Sequence, residues 1–511
     1  PTQPTGRRPV PGAAHPTGHG PNVADAPPDG TQSRCQGLLS PLTCVTTGAQ
    51  AGRMSARPSH LLLRRRTLLT VPPLLVMLAA CDTPTPRPKD GPDDPASELP
   101  SDVEPRVLDL AETMYAEAVT ACNTLGATVL THSLTQSPAA NAVVCPAGVG
   151  MTLALLYAGA TELPEKVDQL LGFDATASYP RGLPEERDAA WSAVLTSLLR
   201  LDAADTSALA DFDPNELPEQ PLLHVASRAV LVQPDKEEPG IKVSQAYLDN
   251  LRSWYRAQVV QVPRDEAQDS LDAWASWHTG GLIPSSAIKV TENTRLVLQN
   301  AILFAAQWMS PFDAEDTYEH SEFHRADGST SPADLMHQTG EFTMVSGEGW
   351  RALRIPYNLS TYELVMDIIL PDDVVHPADL PAETWAEATA LLEEKQGASQ
   401  GEVNLALPRL DLSSDTLDIL KILADVGIVV DEVPHIGGGL HVDQFAQQVK
   451  LRVKEEGTVG AAVTEVEIGV TAVPAPPAED FICDHPFVLR VVDRASGVCV
   501  IEAAVVDPAA D

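Results

Sequence analysis

The chain is short of positive charge: 34 Lys and Arg stand against 71 Asp and Glu over 511 residues, a net charge of -37. A surface of that sign repels phosphate backbones and anionic headgroups, which argues against a nucleic-acid partner or an acidic membrane surface. Catalytic signatures are scarce too. There is no phosphate-cradling glycine loop of the Walker type, no HExxH and no paired CxxC. His324, His337, His441 and His485 lie far apart in unlike contexts, as solvated or structural histidines do. The reading is therefore of a protein that is not an enzyme, with no metal or cofactor, whose work is done by conformational energy.

Methionine is absent from residues 1–53, which are rich in Pro, Gly, Thr and Ala and read as a disordered arm or as translated sequence upstream of a start at Met54. From Met54 to Cys81 the pattern is that of an export signal: Arg64, Arg65 and Arg66 form a positive region, and Leu68 to Ala80 is an apolar run too short to span a bilayer comfortably. The run ends in "LAAC", Leu78 to Cys81, which resembles the lipobox of bacterial lipoproteins. That resemblance implies acylation of the Cys81 thiol and a lipid-anchored protein of the cell envelope, on its periplasmic or extracellular face; the plainer alternative is a thiol after a cleavable signal. Residues 82–106 are proline-rich and acidic, and read as a semi-extended tether between anchor and body.

Residues 107–511 mix the two periodicities. Helical spacing runs through "RVLDLAETMYAEAVTACNTLGATVLTHSL", through the segment after Cys145 and Pro146, and through "DAAWSAVLTSLLRL". Runs rich in Val, Ile and Leu then predict strands at "LHVASRAVLVQ", "RLVLQNAILFAAQW", "YELVMDIILP", "VNLALPRLDL", "VKLRVKEEG", "FVLRVVD" and "VCVIEAAVVDP". Helices first and strands later point to an α+β body with large mixed or antiparallel sheets. Four cysteines fall in it, Cys122, Cys145, Cys483 and Cys499, which could pair in an exported protein or remain small buried thiols.

One stretch fits neither an ordinary strand nor an ordinary loop. In "EEGTVGAAVTEVEIGVTAVPAPP", Glu455 to Pro477, residues Thr458, Gly460, Ala462, Thr464, Val466 and Ile468 share one strand face, and Glu465 and Glu467 fall on the other. From Pro474 onward the prolines cannot donate to a ladder. A flexible linker would have no reason to keep its charges on one parity.

Several motifs together resemble the serpin family. The stretch "LVLQNAILFAAQWMSPFDAEDTYEHSEFHRADGSTSPADLMHQTGEF" is similar in order and spacing to the central serpin region, with Asn300, Trp308, Pro311, Phe312, Phe323, His324, Met336 and Gly340 in the matching places. "NAVVCPAGVGMTLALLYAGA" looks like the family's second helix, and "FICDHPFVLRVV" fits its C-terminal signature around Asp484, Pro486 and Phe487. The resemblance implies three β-sheets surrounded by eight or nine helices, and an exposed reactive loop. It implies a monomer that inhibits a serine protease as a suicide substrate: the protease cuts the loop and the freed segment inserts into the main sheet. By that likeness the hinge comprises Glu456, Gly457, Thr458, Gly460, Ala461, Ala462 and Thr464.

Where the family gates the sheet with two serines, an Asn and a His, this chain has Cys145, Gly148, Asn300 and Gln447. Gln447 is expected to hydrogen-bond Asn300. That altered gate motivates the alternative of a noninhibitory binding or chaperone-like protein. Counting forward from Gly457 by the family interval puts the scissile bond at Thr471–Ala472, whereas counting back from Pro486 puts it near Ala475; the prolines favour the first, with Val470 and Val473 as neighbouring alternatives. Small uncharged residues there suit an elastase-like or subtilisin-like protease with a shallow apolar pocket.

Overall fold

The computed structural model describes residues 91–106, 115–173, 184–200, 209, 211–213, 215–234, 242–358, 364–381, 383–395, 401–414, 417–430, 433–442, 444–459 and 478–510. The arm, the export signal, Cys81, hinge residues Gly460, Ala461, Ala462 and Thr464, and the cleavage window Val470, Thr471, Ala472 and Val473 lie outside them.

Helix Tyr115–Gln136 is amphipathic by its small residues: Ala118, Cys122, Leu125, Val129 and Leu130 are buried. Gly126 lets Pro146 approach so closely that a Cβ there would lie 2.3 Å from the proline ring. Helix Pro146–Leu156 opens as its sequence suggests, with proline in the first turn and the Cys145 sulfur accepting from Gly148 N at 3.4 Å. Both pack against a six-stranded sheet ordered Ala142–Val144, Val498–Val505, Phe487–Asp493, Leu364–Pro371, Trp350–Pro356 and Thr343–Gly347. Its middle strands are buried along their whole length, which is why they read as continuous apolar runs. The charges they carry are paired: Arg354 holds Asp367 at 2.7 and 2.9 Å, and Arg490 lies 2.8 Å from Glu502.

A four-stranded sheet (Glu479–Ile482, Glu402–Pro408, Thr330–Glu341, Thr317–His324) and a short ladder of Leu417–Asp418 with Ala446–Gln447 complete two further layers. The largest sheet has seven strands, ordered Ser97–Glu98, Gln258–Pro263, Leu222–Gln233, Leu296–Gln307, Gly457–Thr458, Lys450–Lys454 and Leu410–Ser413. Helix Gln245–Tyr255 makes the crossover between its one parallel pair, and helix Arg264–His278 packs on the same strands. Eight α-helices are present among the described residues. Cys122, Cys145, Cys483 and Cys499 are free, buried thiols, so the disulfide alternative gives way to the packing one.

Residues 91–106 correct the expected tether. Ser97 and Glu98 pair with Gln261 and Val260, so this part of the stretch is an edge strand of the largest sheet, not a spacer.

Candidate functional site

Strand Leu296–Gln307 is fully paired on one edge, from Leu296 opposite Leu231 to Ala305 opposite Leu222. On its other edge, among the described residues, only Ala306 and Gln307 are paired, with Thr458 and Gly457. Facing it, Lys450–Lys454 pairs with the same two residues through Val453 and Lys454. Among the described residues no other strand bridges the two edges. Below the Gly457–Thr458 pair lies a cavity of about 110 Å³, lined by residues of both strands and reaching Cys145, Gly148, Asn300 and Gln447. Unpaired sheet edges are a template for one more strand. The site is a slot between these two strands, already started at its upper end.

That upper end is tightly specified. At Gly457 a Cβ would sit 2.2 Å from the Ala306 carbonyl oxygen, so only glycine lets the chain enter between its neighbours. Thr458 is 0% exposed, and its hydroxyl lies 2.7 Å from the Tyr357 hydroxyl. Tyr357 stacks on Trp308 at 4.5 Å, and Trp308 donates its backbone N–H to Glu456 O at 2.8 Å and its indole N–H to Lys454 O at 2.9 Å. Glu455 is anchored by Thr317 and Arg409, each 2.7 Å from its carboxylate. Burial pushes the Glu455 carboxyl up, but the bonds from Arg409 and Thr317 outweigh it and hold the group below the usual carboxylate range. Val459, the last described residue of this segment, still donates its N–H to Arg452 O at 3.0 Å. Val459 has φ of 71°, a left-handed conformation that β-branched residues avoid, and its side chain is buried with Phe212, Leu217, Trp277 and Leu303.

The lower end is where Cys145, Gly148, Asn300 and Gln447 meet, but not as expected. Gln447 does not bond Asn300: its oxygen accepts from Cys145 N at 2.9 Å and its nitrogen donates to Cys145 O at 3.0 Å. Asn300 donates instead to Ser227 Oγ at 2.9 Å and Ala226 O at 3.3 Å. The reason lies in Gly148, where a Cβ would fall 2.9 Å from the Gln447 nitrogen, so the missing side chain makes room for the glutamine to reach the Cys145 peptide. The Cys145 thiol, pushed up to about 12 by burial, stays protonated.

Of the expected signature residues, Trp308 belongs to the slot. Asp484, Pro486 and Phe487 do not: Asp484 and Pro486 lie on the connection from the four-stranded to the six-stranded sheet, and Phe487 opens strand Phe487–Asp493. There Asp484 holds His485 Nδ1 at 2.8 Å and His485 Nε2 lies 2.8 Å from Pro371 O. Sequence reading missed Tyr357, Arg409 and Val459. Only Val459 carried a signal, as an apolar residue on the outward parity of a segment whose other outward positions include glutamates.

A family model described as Serpin (serine protease inhibitor) matches residues 120–508. An uncharacterized serpin-like protein of Thermococcus kodakarensis is 27% identical over 470 residues, spanning 87% of this chain and 99% of its own. Among solved structures, the Arabidopsis serpin AtSerpin1 in its native stressed conformation aligns with a TM-score of 0.60 at 22% identity, over 79% of this chain and 100% of its own. Thyroxine-binding globulin in complex with thyroxine aligns with a TM-score of 0.60 at 20% identity, over 77% of this chain and 99% of its own. At those identities the two structures share the fold with this chain.

Proposed function

The chain belongs to the serpin family, whose members are generally protease inhibitors, and from that premise we propose that it traps a serine protease by taking its own cleaved loop into the slot. The protease serine adds to the Thr471 carbonyl carbon, the Thr471–Ala472 bond breaks, and the new amine at Ala472 leaves while Thr471 stays esterified to the serine. Insertion of the segment from Val459 onward then carries the acylated protease away before water completes the turnover. The observation that supports this most is the started slot: Gly457 and Thr458 already occupy the position of the extra strand, between two edges that have no further common partner among the described residues.

A noninhibitory binding role drew its motive from the altered gate. Gln447 bonds the Cys145 peptide and Asn300 bonds Ser227 and Ala226, so the gate residues are held by other partners than the family pattern implies, and the loop-nicking measurement below separates the two readings.

The target we propose is an elastase-like or subtilisin-like enzyme. Incubation with an elastase, a subtilisin and a trypsin, followed by a denaturing gel, should give a covalent complex with one of the first two. Mass spectrometry should place the start of the released C-terminal fragment between Thr471 and Pro474. Cleavage without complex would reduce the protein to a substrate, and a complex with trypsin alone would refute the assignment of Thr471.

We further propose that the inhibitor acts as a monomer anchored to the cell envelope through acylated Cys81, on the support of the "LAAC" sequence. Metabolic labelling with a palmitate analogue should tag the wild type and miss Cys81→Ala. Equal labelling of both would remove the anchor.

A further inference from the structure

The second half of the acidic, proline-rich stretch is docked on the body through specific side chains. Leu99 N donates to Val259 O at 2.7 Å, extending the pairing of Ser97 and Glu98. Ala96 packs against the apolar cluster of Val230, Val262, Leu271 and Val297 between the largest sheet and helix Arg264–His278. Further on, Ser101 donates to Asp249 at 3.1 Å, and Arg106 donates to Ser253 Oγ at 3.0 Å with its guanidinium 4.0 Å over the Trp254 ring.

The decisive group is Asp94. One of its carboxylate oxygens accepts from Ser270 Oγ at 2.7 Å and from Ala96 N at 2.9 Å; the other is the ion-pair partner of Arg228. Arg228 is 2% exposed, and its remaining donors reach Gln299 Oε1 at 2.9 Å and Ser270 O at 2.9 Å. Gln299 in turn donates to Leu271 O at 3.1 Å. A single carboxylate thus closes a network joining strand Leu222–Gln233, strand Leu296–Gln307 and helix Arg264–His278. That helix also borders the slot: its Trp274 and Ala275, with Thr279 just past its end, line the cavity. A strand that fills the slot comes against this helix, and any shift of the helix strains the bonds that Asp94 completes. Without the carboxylate, the buried guanidinium loses its counter-charge.

We propose that residues 91–106 are a latch on the sheet, with Asp94 the positioning residue that pins helix Arg264–His278 over the slot and delays uptake of the loop until it is cut. The latch rests on the insertion reading above. Release of the segment lets the sheet take up an uncleaved loop, and the inhibitor then decays to an inactive form.

The test uses the full chain. Asp94→Asn keeps the shape and removes the charge; the half-life of complex-forming activity at 37 °C should fall at least tenfold, and amide exchange should accelerate across Arg264–His278. A second variant carries Ser97→Cys and Gln261→Cys, residues opposite each other in the edge pairing. Oxidised, it should outlive the same protein reduced. Wild type with its loop cut serves as the control. If cutting gives it no gain in thermal stability, the insertion reading falls and the latch falls with it. If the cut wild type is stabilised, but Asp94→Asn matches the uncut wild type in lifetime and exchange and oxidation changes nothing, the latch alone is overturned.

Discussion

Thr458→Arg is expected to turn the inhibitor into a substrate: the loop is still cut, but the covalent complex disappears. Thr458 is 0% exposed and pairs on one side with Val453 and on the other with Ala306, at the upper end of the slot. A guanidinium there faces the Tyr357 hydroxyl, and neither that group nor the surrounding aromatic rings of Trp308 and Phe304 offers a counter-charge. Seating an unpaired buried ion costs several kcal/mol, on the order of 3–5 by comparison with broken buried pairs. Because Thr458 is seated before the loop is cut, the penalty unseats the started strand, and insertion of the rest without that start is slowed relative to hydrolysis of the acyl-enzyme; 1.4 kcal/mol is about a tenfold change in rate. Partition between complex and cleaved product, read by densitometry against a subtilisin or an elastase, should move from mostly complex to almost entirely product. Thr458→Ser, which keeps the hydroxyl, should stay close to wild type. A complex formed undiminished by Thr458→Arg would mean that inhibition does not depend on the seat of this residue in the sheet.

How much of this was legible beforehand depended on what each element leans on. Strands such as Leu364–Pro371 and Val498–Val505 could be read because both faces are buried and every position is apolar. Thr317–His324 and Thr330–Glu341 could not. They are largely polar, one carries Pro332 and the other a left-handed His320, and they are strands because neighbours on the four-stranded sheet supply the pairing. Helix Arg264–His278 buries Ala267, Leu271 and Trp274 at helical spacing, a signal that was present but passed over.

At the site, family likeness placed Cys145, Gly148, Asn300 and Gln447 near one another, yet not the direction of the Gln447 amide. A side-chain amide takes whichever partners the packed structure brings within reach, and here the absence of a side chain at Gly148 decided it. The docking of Asp94 was hidden for a similar reason. Composition marks its surroundings as a linker, while its partner Arg228 lies 134 positions away in the chain.

The most direct measurement is the thermal unfolding of the intact protein and of the same protein nicked between Thr471 and Pro474, with the nicking protease inactivated first. The freed strand would pair with both slot edges and add about ten ladder hydrogen bonds, each worth roughly 1 kcal/mol net. Against an unfolding entropy of about 2 cal/mol/K per residue over a body of some 400 residues, that corresponds to a rise of ~10 °C or more. Burial of the face carrying Gly460, Ala462 and Thr464 adds to it. A rise of that size is the expected result. An unfolding temperature that stays the same or falls after the cut would contradict loop insertion and leave the slot without a strand to fill it.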